Sequence, residues 1–434
     1  MSFKKGLIDA RSHIVFLAAL IFSFALILRL EGVETESAVF LELEAQAPPA
    51  PRHILGERHE RWARIAWSYF EKNERPSGLV DSVAGFPATT LWDTGSYLLA
   101  VIAAHRLEII NGAEADRRLD AALASIEALP LVSPGPSGGL PNKSYNTESL
   151  AMVDYNNAPT PLGIGWSAID AGRLLVPLHV LVWHYPQHTD RVRRILDGWD
   201  FTRLVRDGTL FGGQPPQGEG STEFRLVQEG RLGYEEYSAR SFSLGGLDAS
   251  VAERYTDFLR WVPVLGERIA VDSRDARDYV AHNVVVSEPY VLDGLELGWD
   301  RVTRELAYKV FRAQQLRYER TGTLTAVSED HLDRAPHFAY YGVIADGELW
   351  HAIDPDGRSA EGAQTLSTKT AFGWHALYAT GYTKRLIEAV EPLHEVEGGW
   401  YAGRYEASGE VNDLLTCNTN AVVLESLHYM ALGP

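Results

Sequence analysis

Tyr97–Ala104 (YLLAVIAA), Leu174–Trp183 (LLVPLHVLVW) and Ala421–Leu432 (AVVLESLHYMAL) are stretches that are apolar on nearly every side. A helix with that pattern has no face to give to water, so each is expected to be buried all round. Ser238–Leu247, Pro289–Leu297 and Thr370–Ala379 read as shorter versions of the same thing. Between them run segments with one apolar stripe: Trp62, Ile65, Ala66, Tyr69 and Phe70; Leu119, Ala122, Leu123 and Ile126; Val192, Ile195, Leu196 and Trp199. The remaining three stripes are Val251, Tyr255, Phe258 and Leu259; Val302, Leu306, Val310 and Ala313; and Tyr382, Leu386, Ile387 and Val390. Six half-exposed helices alternating with six buried ones predict an inner ring within an outer ring. The fold class is therefore all-α, an (α/α)6 toroid or six-hairpin barrel.

Connection lengths support the alternation. Inner-to-outer links are tight, at Asn111-Gly112, Tyr185–His188, Gly298–Asp300 and Gly381, whereas the outer-to-inner links 74–92, 130–165, 201–234, 263–287, 321–368 and 392–415 are long. Six long loops then gather on the rim that holds the N-termini of the inner helices, where sites are commonly built. Small β-hairpins are expected on that rim, at Arg206–Phe211 and Ala345–Trp350, because each carries Asp-Gly between alternating residues.

Composition narrows the partners. The chain has 434 residues with 40 basic and 58 acidic side chains, a net charge of −18. That balance excludes nucleic acid or anionic lipid as the main partner, since phosphate binding needs a basic footprint. The single cysteine, Cys417, excludes an internal disulfide and a cysteine-based zinc site. Eleven Trp and nineteen Tyr against three Met favour planar, amphipathic ligands such as sugars.

Lys4, Lys5 and Arg11 precede the apolar run Ile14–Leu28, which Arg29 closes. Residues 1–30 read as a signal peptide or a signal anchor, with an uncleaved anchor over 13–30 in the inner membrane preferred. Residues 31–55, with Pro48, Pro49 and Pro51, read as a tether, and 56–434 as a single domain in the periplasm or another extracytoplasmic space.

Polar groups at the starts of the inner helices converge on the predicted axis: Asp93, Asp170, Glu235, Glu236, Glu288 and Asn420, with Asn418 beside the last. The loops add Asp154, Asn156, Glu329, Asp330 and Glu406. Singly, such residues are ordinary helix caps. Capping, however, does not call for Trp92, Trp166, Tyr237 and Tyr290 as neighbours. Paired carboxylates among aromatic rings are what glycoside hydrolysis needs: one acid held protonated for the leaving oxygen, a second to activate water or attack the anomeric carbon. No metal or cofactor is expected. His179, His184 and His188 are interrupted by Pro186, Gly212-Gly213 leads into Pro215-Pro216 rather than a helix, and no Gly-x-Ser-x-Gly elbow occurs.

The runs TTLWDTGSYLLA (89–100), KSYNTESLAMVDYNNAPTPLGIGWSAIDAGRLL (143–175), VVSEPYVLDGLELG (285–298), LSTKTAFGWHALY (366–378) and GGWYAGRYEASGEVNDLLTCNTNAVVLESLHY (398–429) together resemble the bacterial family called domain of unknown function 3131. The likeness spans residues 57–432 in order. It implies an extracytoplasmic, often membrane-anchored carbohydrate-active toroid related to six-hairpin glycosidases, including those acting on β-1,2-glucans, and found with exopolysaccharide systems.

The leading expectation is an extracytoplasmic glycoside hydrolase, endo-acting on a bacterial glucan or exopolysaccharide, with exopolysaccharide machinery as a further partner. Glu236, its neighbour Glu235, or Glu288 would donate the proton, and Asp93 or Asp170 would serve as base or nucleophile. Trp92, Tyr155, Trp166, Tyr237 and Trp374 would be sugar platforms. Asn156, Arg173 and Asn420 would hold hydroxyls, with Asp154 and Glu406 nearby. Alternatives are a polysaccharide lyase on the same fold, an epimerase using His331 and His337, and a non-catalytic glycan-binding component of an export system.

Overall fold

Twelve stripes of apolar residues need somewhere to go, and the computed structural model shows where. It describes residues 49–434 apart from 217–222, 256–257 and 280, together with the isolated Leu20 and Ser23. The residues from 49 onward belong to one compact unit. Apart from the isolated Leu20 and Ser23, the expected anchor at 13–30 lies outside the described residues. Among the described residues, no helix is long and apolar enough to cross a membrane.

The inner helices are α2 (Leu91–Arg106), α4 (Ala168–His184), α6 (Tyr234–Leu244), α7 (Glu288–Leu292, continued by a π-turn over Asp293–Leu297), α9 (Thr368–Tyr378) and α11 (Cys417–Leu432). The first turns are largely buried, with Ile169 and Asp170 of α4 and Asn418 of α11 half-buried. Each packs on the next, α2 on α4, α4 on α6, α6 on α7, α7 on α9, α9 on α11 and α11 back on α2, which closes the ring. Around them stand α1 (Glu57–Asn73), α3 (Gly112–Ala128), α5 (Thr189–Asp197), α8 (Arg301–Thr321) and α10 (Gly381–Val390). Their stripes face inward: Leu119, Ala122 and Leu123 of α3, for example, are fully buried. Aromatic clusters fill the space between the layers, such as Trp62, Phe372 and Trp400 with ring centroids 4.9–6.5 Å apart.

One expected outer helix is absent. The stripe Val251, Tyr255, Phe258 and Leu259 does not form a helix; its described residues are turns, and Leu259 opens the antiparallel hairpin Leu259–Val264/Glu267–Asp272. Two features explain it. Pro263 would break a helix continuing from the stripe, and Leu265-Gly266, both at positive φ, make the two-residue turn that joins twisted strands. This hairpin packs on α8 and fills the missing outer place.

The two hairpins expected from Asp-Gly are present, Val205–Arg206 with Thr209–Gln214 and Ile344–Ala345 with Glu348–Leu349. Further strands decorate the loops that lead into the inner helices. Ala88–Thr90 pairs with Ser144–Asn146 before α2, and Glu329–His331 pairs with Phe338–Tyr341 before α9. At the opposite end, the chain entering the domain is tied to the C-terminal ends of two inner helices. The Ala50 N–H donates to the Leu377 carbonyl (2.8 Å) and the His53 N–H to the Met430 carbonyl (2.9 Å).

Candidate active site

Each inner helix starts with a polar residue because a helix start leaves backbone N–H groups unpaired and carries a positive dipole end. In α2 the cap is Thr90, whose hydroxyl oxygen accepts from the Asp93 N–H (3.0 Å). The Asp93 carboxylate does not return to the backbone. It accepts hydroxyl hydrogen bonds from Ser82 (2.5 Å) and Thr90 (2.8 Å) and is almost buried.

In α4 the cap is Ser167, which accepts from the Asp170 N–H (3.1 Å). Ordinary capping would have the Asp170 side chain reach back to the start of its own helix. Here another anion already fills that place: a carboxylate oxygen of Glu229 accepts from the Ala168 N–H (2.5 Å), the Ile169 N–H (3.2 Å) and the Ser167 hydroxyl (3.2 Å). Asp170 makes no side-chain hydrogen bond among the described residues. Burial, reinforced by the negative charges of Glu229 and Asp93 and only partly offset by Lys143 and Arg231, raises its pKa to about 7.

The segment that delivers Asp170 is fixed by contact. Gly165 has φ +97°, and a Cβ there would lie 1.9 Å from the Gly213 carbonyl oxygen, so the strand Thr209–Gln214 runs directly against it.

Across the axis, Glu288 at the start of α7 is fully engaged. It accepts from the Lys369 ammonium (2.5 Å), from Asn418 Nδ2 (2.6 Å) and from the Ser328 hydroxyl (3.3 Å). Lys369, in the first turn of α9, also donates to the Glu329 carbonyl (2.7 Å). Neighbouring carboxyls are driven up by burial and by the charge of Glu288: Glu329 to about 7 and Asp330 to about 6, with Lys369 opposing both. His331 is held below its ordinary value by burial. Trp92 and Tyr234 meet edge-on at 5.6 Å on the same rim; the Trp92 Nε1 is a buried donor without an acceptor among the described residues, and the Tyr234 hydroxyl is buried beside Glu329. A buried donor without an acceptor is costly unless something fills the site.

The structure therefore brings Asp93, Asp170, Glu288 and Trp92 together with Glu229, Glu329, Lys369, Arg231 and Tyr234. Tyr155 is 62% exposed and lies within electrostatic reach of Asp170, Tyr340, Glu229 and Arg231. Asp154 and Asn156 sit in the same exposed loop, where Asp154 accepts from the Asn156 and Ala158 N–H groups.

The other expected residues stand elsewhere. Glu235 pairs with Arg274 (2.7 Å), and Glu236 accepts from the Gly233 N–H (2.6 Å), both lining a cavity with Val251, Tyr255 and Phe258. Arg173 is completely buried, bonded to Glu296, to Glu425 (3.1 Å) and to Tyr237 (2.8 Å). Trp166, Trp374 and Tyr237 are core residues with no face open to a sugar. Asn420 holds the Trp400 backbone (2.7 Å), and Glu406 pairs with Arg317 (2.9 Å).

Glu229, Lys369 and Arg231 are central here and were not singled out from the sequence. Lys369 had a usable signal, a cation in the first turn of an otherwise apolar helix. Glu229 had none, because it caps a helix that starts sixty residues away from it in the other direction.

Comparison with solved structures finds the same fold in proteins of low identity. A provisionally assigned glucoamylase of Bacteroides caccae superposes with a TM-score of 0.62 at 11% identity, covering 87% of this chain and 93% of that one. An endo-β-1,2-glucanase of Chitinophaga pinensis gives 0.60 at 11%, covering 88% and 94%. An endo-β-1,2-glucanase of Talaromyces funiculosus gives 0.56 at 14%, covering 87% and 84%. No curated protein matches by sequence. Residues 61–433 match a single family along nearly the whole toroid, and the chain belongs to it: the protein of unknown function family DUF3131.

Proposed function

We propose that this protein is an extracytoplasmic glycoside hydrolase, endo-acting on a bacterial glucan or exopolysaccharide, with Asp170 as proton donor and Asp93 as the second carboxylate. The observation that carries the reading is the free Asp170 carboxyl. It begins an inner helix yet takes no part in capping it, because Glu229 does that work, and its pKa of about 7 leaves it protonated in the neutral range where a leaving oxygen needs a proton. The sequence had set Asp170 on the base side and looked to Glu235, Glu236 or Glu288 for the proton. Glu288 is held by Lys369, and Glu235 and Glu236, although burial raises both carboxyls, line a separate cavity with Tyr255 and Arg274 that includes neither Asp93 nor Asp170. Asp93, ringed by hydroxyl donors, suits an acceptor role. Long loops with an exposed Tyr155 make an open rim that suits a chain passing through, and similarity in fold to endo-β-1,2-glucanases supports linear β-1,2-glucan as the first substrate to try.

A lyase reading has Arg231, Tyr234 and Tyr340 on the same rim in its favour. Burial raises the pKa of both tyrosines, which starves it of a base. Incubation with linear β-1,2-glucan and other bacterial polysaccharides, read by product mass, tests both. Saturated oligosaccharides that vanish in Asp170→Asn and Asp93→Asn support the hydrolase. Ends lighter by one water refute it in favour of the lyase, and cleavage that survives both substitutions refutes the assignment of residues.

A further inference from the structure

Buried cations in this molecule are met by carboxylates: Arg173 by Glu296 and Glu425, Arg274 by Glu235 and Asp272, Lys369 by Glu288. Two half-buried cations on the candidate rim are not. Lys143 follows the strand Gly138–Pro141 and is held by its backbone N–H on the Gly165 carbonyl (3.0 Å), while its ammonium has no hydrogen bond or ion pair among the described residues. Arg231 lies with its guanidinium 4.9 Å from the centre of the Tyr340 ring, hydrogen-bonds the Tyr340 side chain and feels the charge of Glu329, but meets no carboxylate in ion-pair contact among the described residues. Both charges reach Asp170.

Two of the acceptors nearby are already occupied, while Asp170 is in reach of both charges without closing a contact and Glu329 faces the Tyr234 hydroxyl. Glu229 is taken by the α4 backbone, and Glu288 by Lys369 and Asn418. What the rim has left over is a set of donors: the Lys143 ammonium, the guanidinium N–H groups that Tyr340 does not take, the Trp92 indole N–H and the Tyr234 hydroxyl beside Glu329. A neutral sugar offers hydroxyl oxygens to the last two. It offers nothing that repays a half-buried ammonium and guanidinium, whereas a carboxylate or phosphate forms charge-assisted hydrogen bonds with both.

We propose that the glycan received by this site carries an acidic substituent, a carboxylate or a phosphate ester on a sugar beside the reacting bond, held by Lys143 and Arg231. The inference names the substrate class of the site described above and rests on that reading of it. It explains how a chain of net charge −18 can accept an anionic polymer: the two cations sit beside Asp170 and Glu329 without closing an ion pair to either.

The test separates binding from turnover. The full chain carrying Asp170→Asn is titrated by affinity electrophoresis with linear β-1,2-glucan and with the same polymer partly succinylated. The acidic polymer is expected to bind about tenfold more tightly, a difference worth about 1.4 kcal/mol. That preference should shrink as salt rises, disappear when Lys143→Gln or Arg231→Gln is added, and return with Lys143→Arg. Equal binding of the two polymers, binding of neither, or a preference that survives both substitutions overturns the proposal. Should a substitution fail to fold, the salt dependence of the parent's preference decides alone: a preference unmoved by salt also overturns it. Cleavage of neutral glucan without preference would sink this inference and leave the hydrolase standing; preference for the acidic polymer without cleavage in the unsubstituted chain would do the reverse.

Discussion

Replacing Asp170 with Asn should make the protein more stable while abolishing its activity. The folded chain keeps the Asp170 proton up to a pKa of about 7, whereas the ordinary value for the free side chain is 3.8. Below the lower value both states are protonated and the residue is neutral to stability. Between the two values the folded state binds a proton that the unfolded state has lost, so stability falls as pH rises, and above about 7 the whole cost is present. A rise of about 3 in pKa, at about 1.4 kcal/mol each, puts that cost at up to ~4 kcal/mol. Asn is close in shape and carries no charge, so it escapes the cost at every pH. Urea unfolding of the two proteins should therefore coincide near pH 3.5 and diverge in favour of Asp170→Asn as pH approaches 8. Turnover should fall by about 10²–10⁴. The reasoning is refuted if the variant is no more stable at pH 8, or if the gap between the curves is the same at both ends of the range.

Other outcomes follow from the same geometry. With Asp170 as proton donor, kcat of the unsubstituted protein should decline as pH rises through about 7, the value at which Asp170 loses its proton. Glu229→Gln removes the largest charge acting against Asp170 ionisation, so the alkaline limb of that profile should move to lower pH, and loss of the anion capping α4 should cost about 1 kcal/mol in a denaturant titration. Arg173→Met leaves Glu296 and Glu425 buried without their shared cation; it should destabilise by about 3–5 kcal/mol, with part of the loss recovered by adding Glu425→Gln.

How much of this was readable in the residues depends on what each residue answers to. The inner ring was legible because Leu98, Ala100 and Val101, or Val422, Val423 and Leu424, are apolar on every side of their helices, and only complete burial tolerates that. Rim position was legible for Asp93, Asp170 and Glu288, since a carboxylate in a first helical turn is tied to its own helix. The fourth outer element was misread because apolar spacing at 251, 255, 258 and 259 fits a helix, while the strand period after it and the Leu265-Gly266 turn decide otherwise. Trp166 and Trp374 show a second gap. An indole reads the same whether it stacks on a sugar or packs under a strand, and Gly213, whose added Cβ would lie 2.4 Å from the Trp166 ring, puts it under the strand. Glu229 shows a third: a side chain that satisfies a helix distant in sequence leaves no local pattern. Nor could charge counting reveal that Lys143 and Arg231 go unpaired, because pairing is a property of distances.

The hydrogen bonds from Ala50 and His53 to the far ends of α9 and α11 give the molecule a polarity. Whatever holds the protein by the chain leading into residue 50 pulls on the pole opposite Asp93 and Asp170. An enzyme immobilised on a bead or a bilayer through that end would present its reactive rim outward. A polymer too large to slip between protein and support would still reach it. Attachment to the reactive rim instead, through a residue engineered into the loop that carries Tyr155, would turn the same catalyst to face its own support.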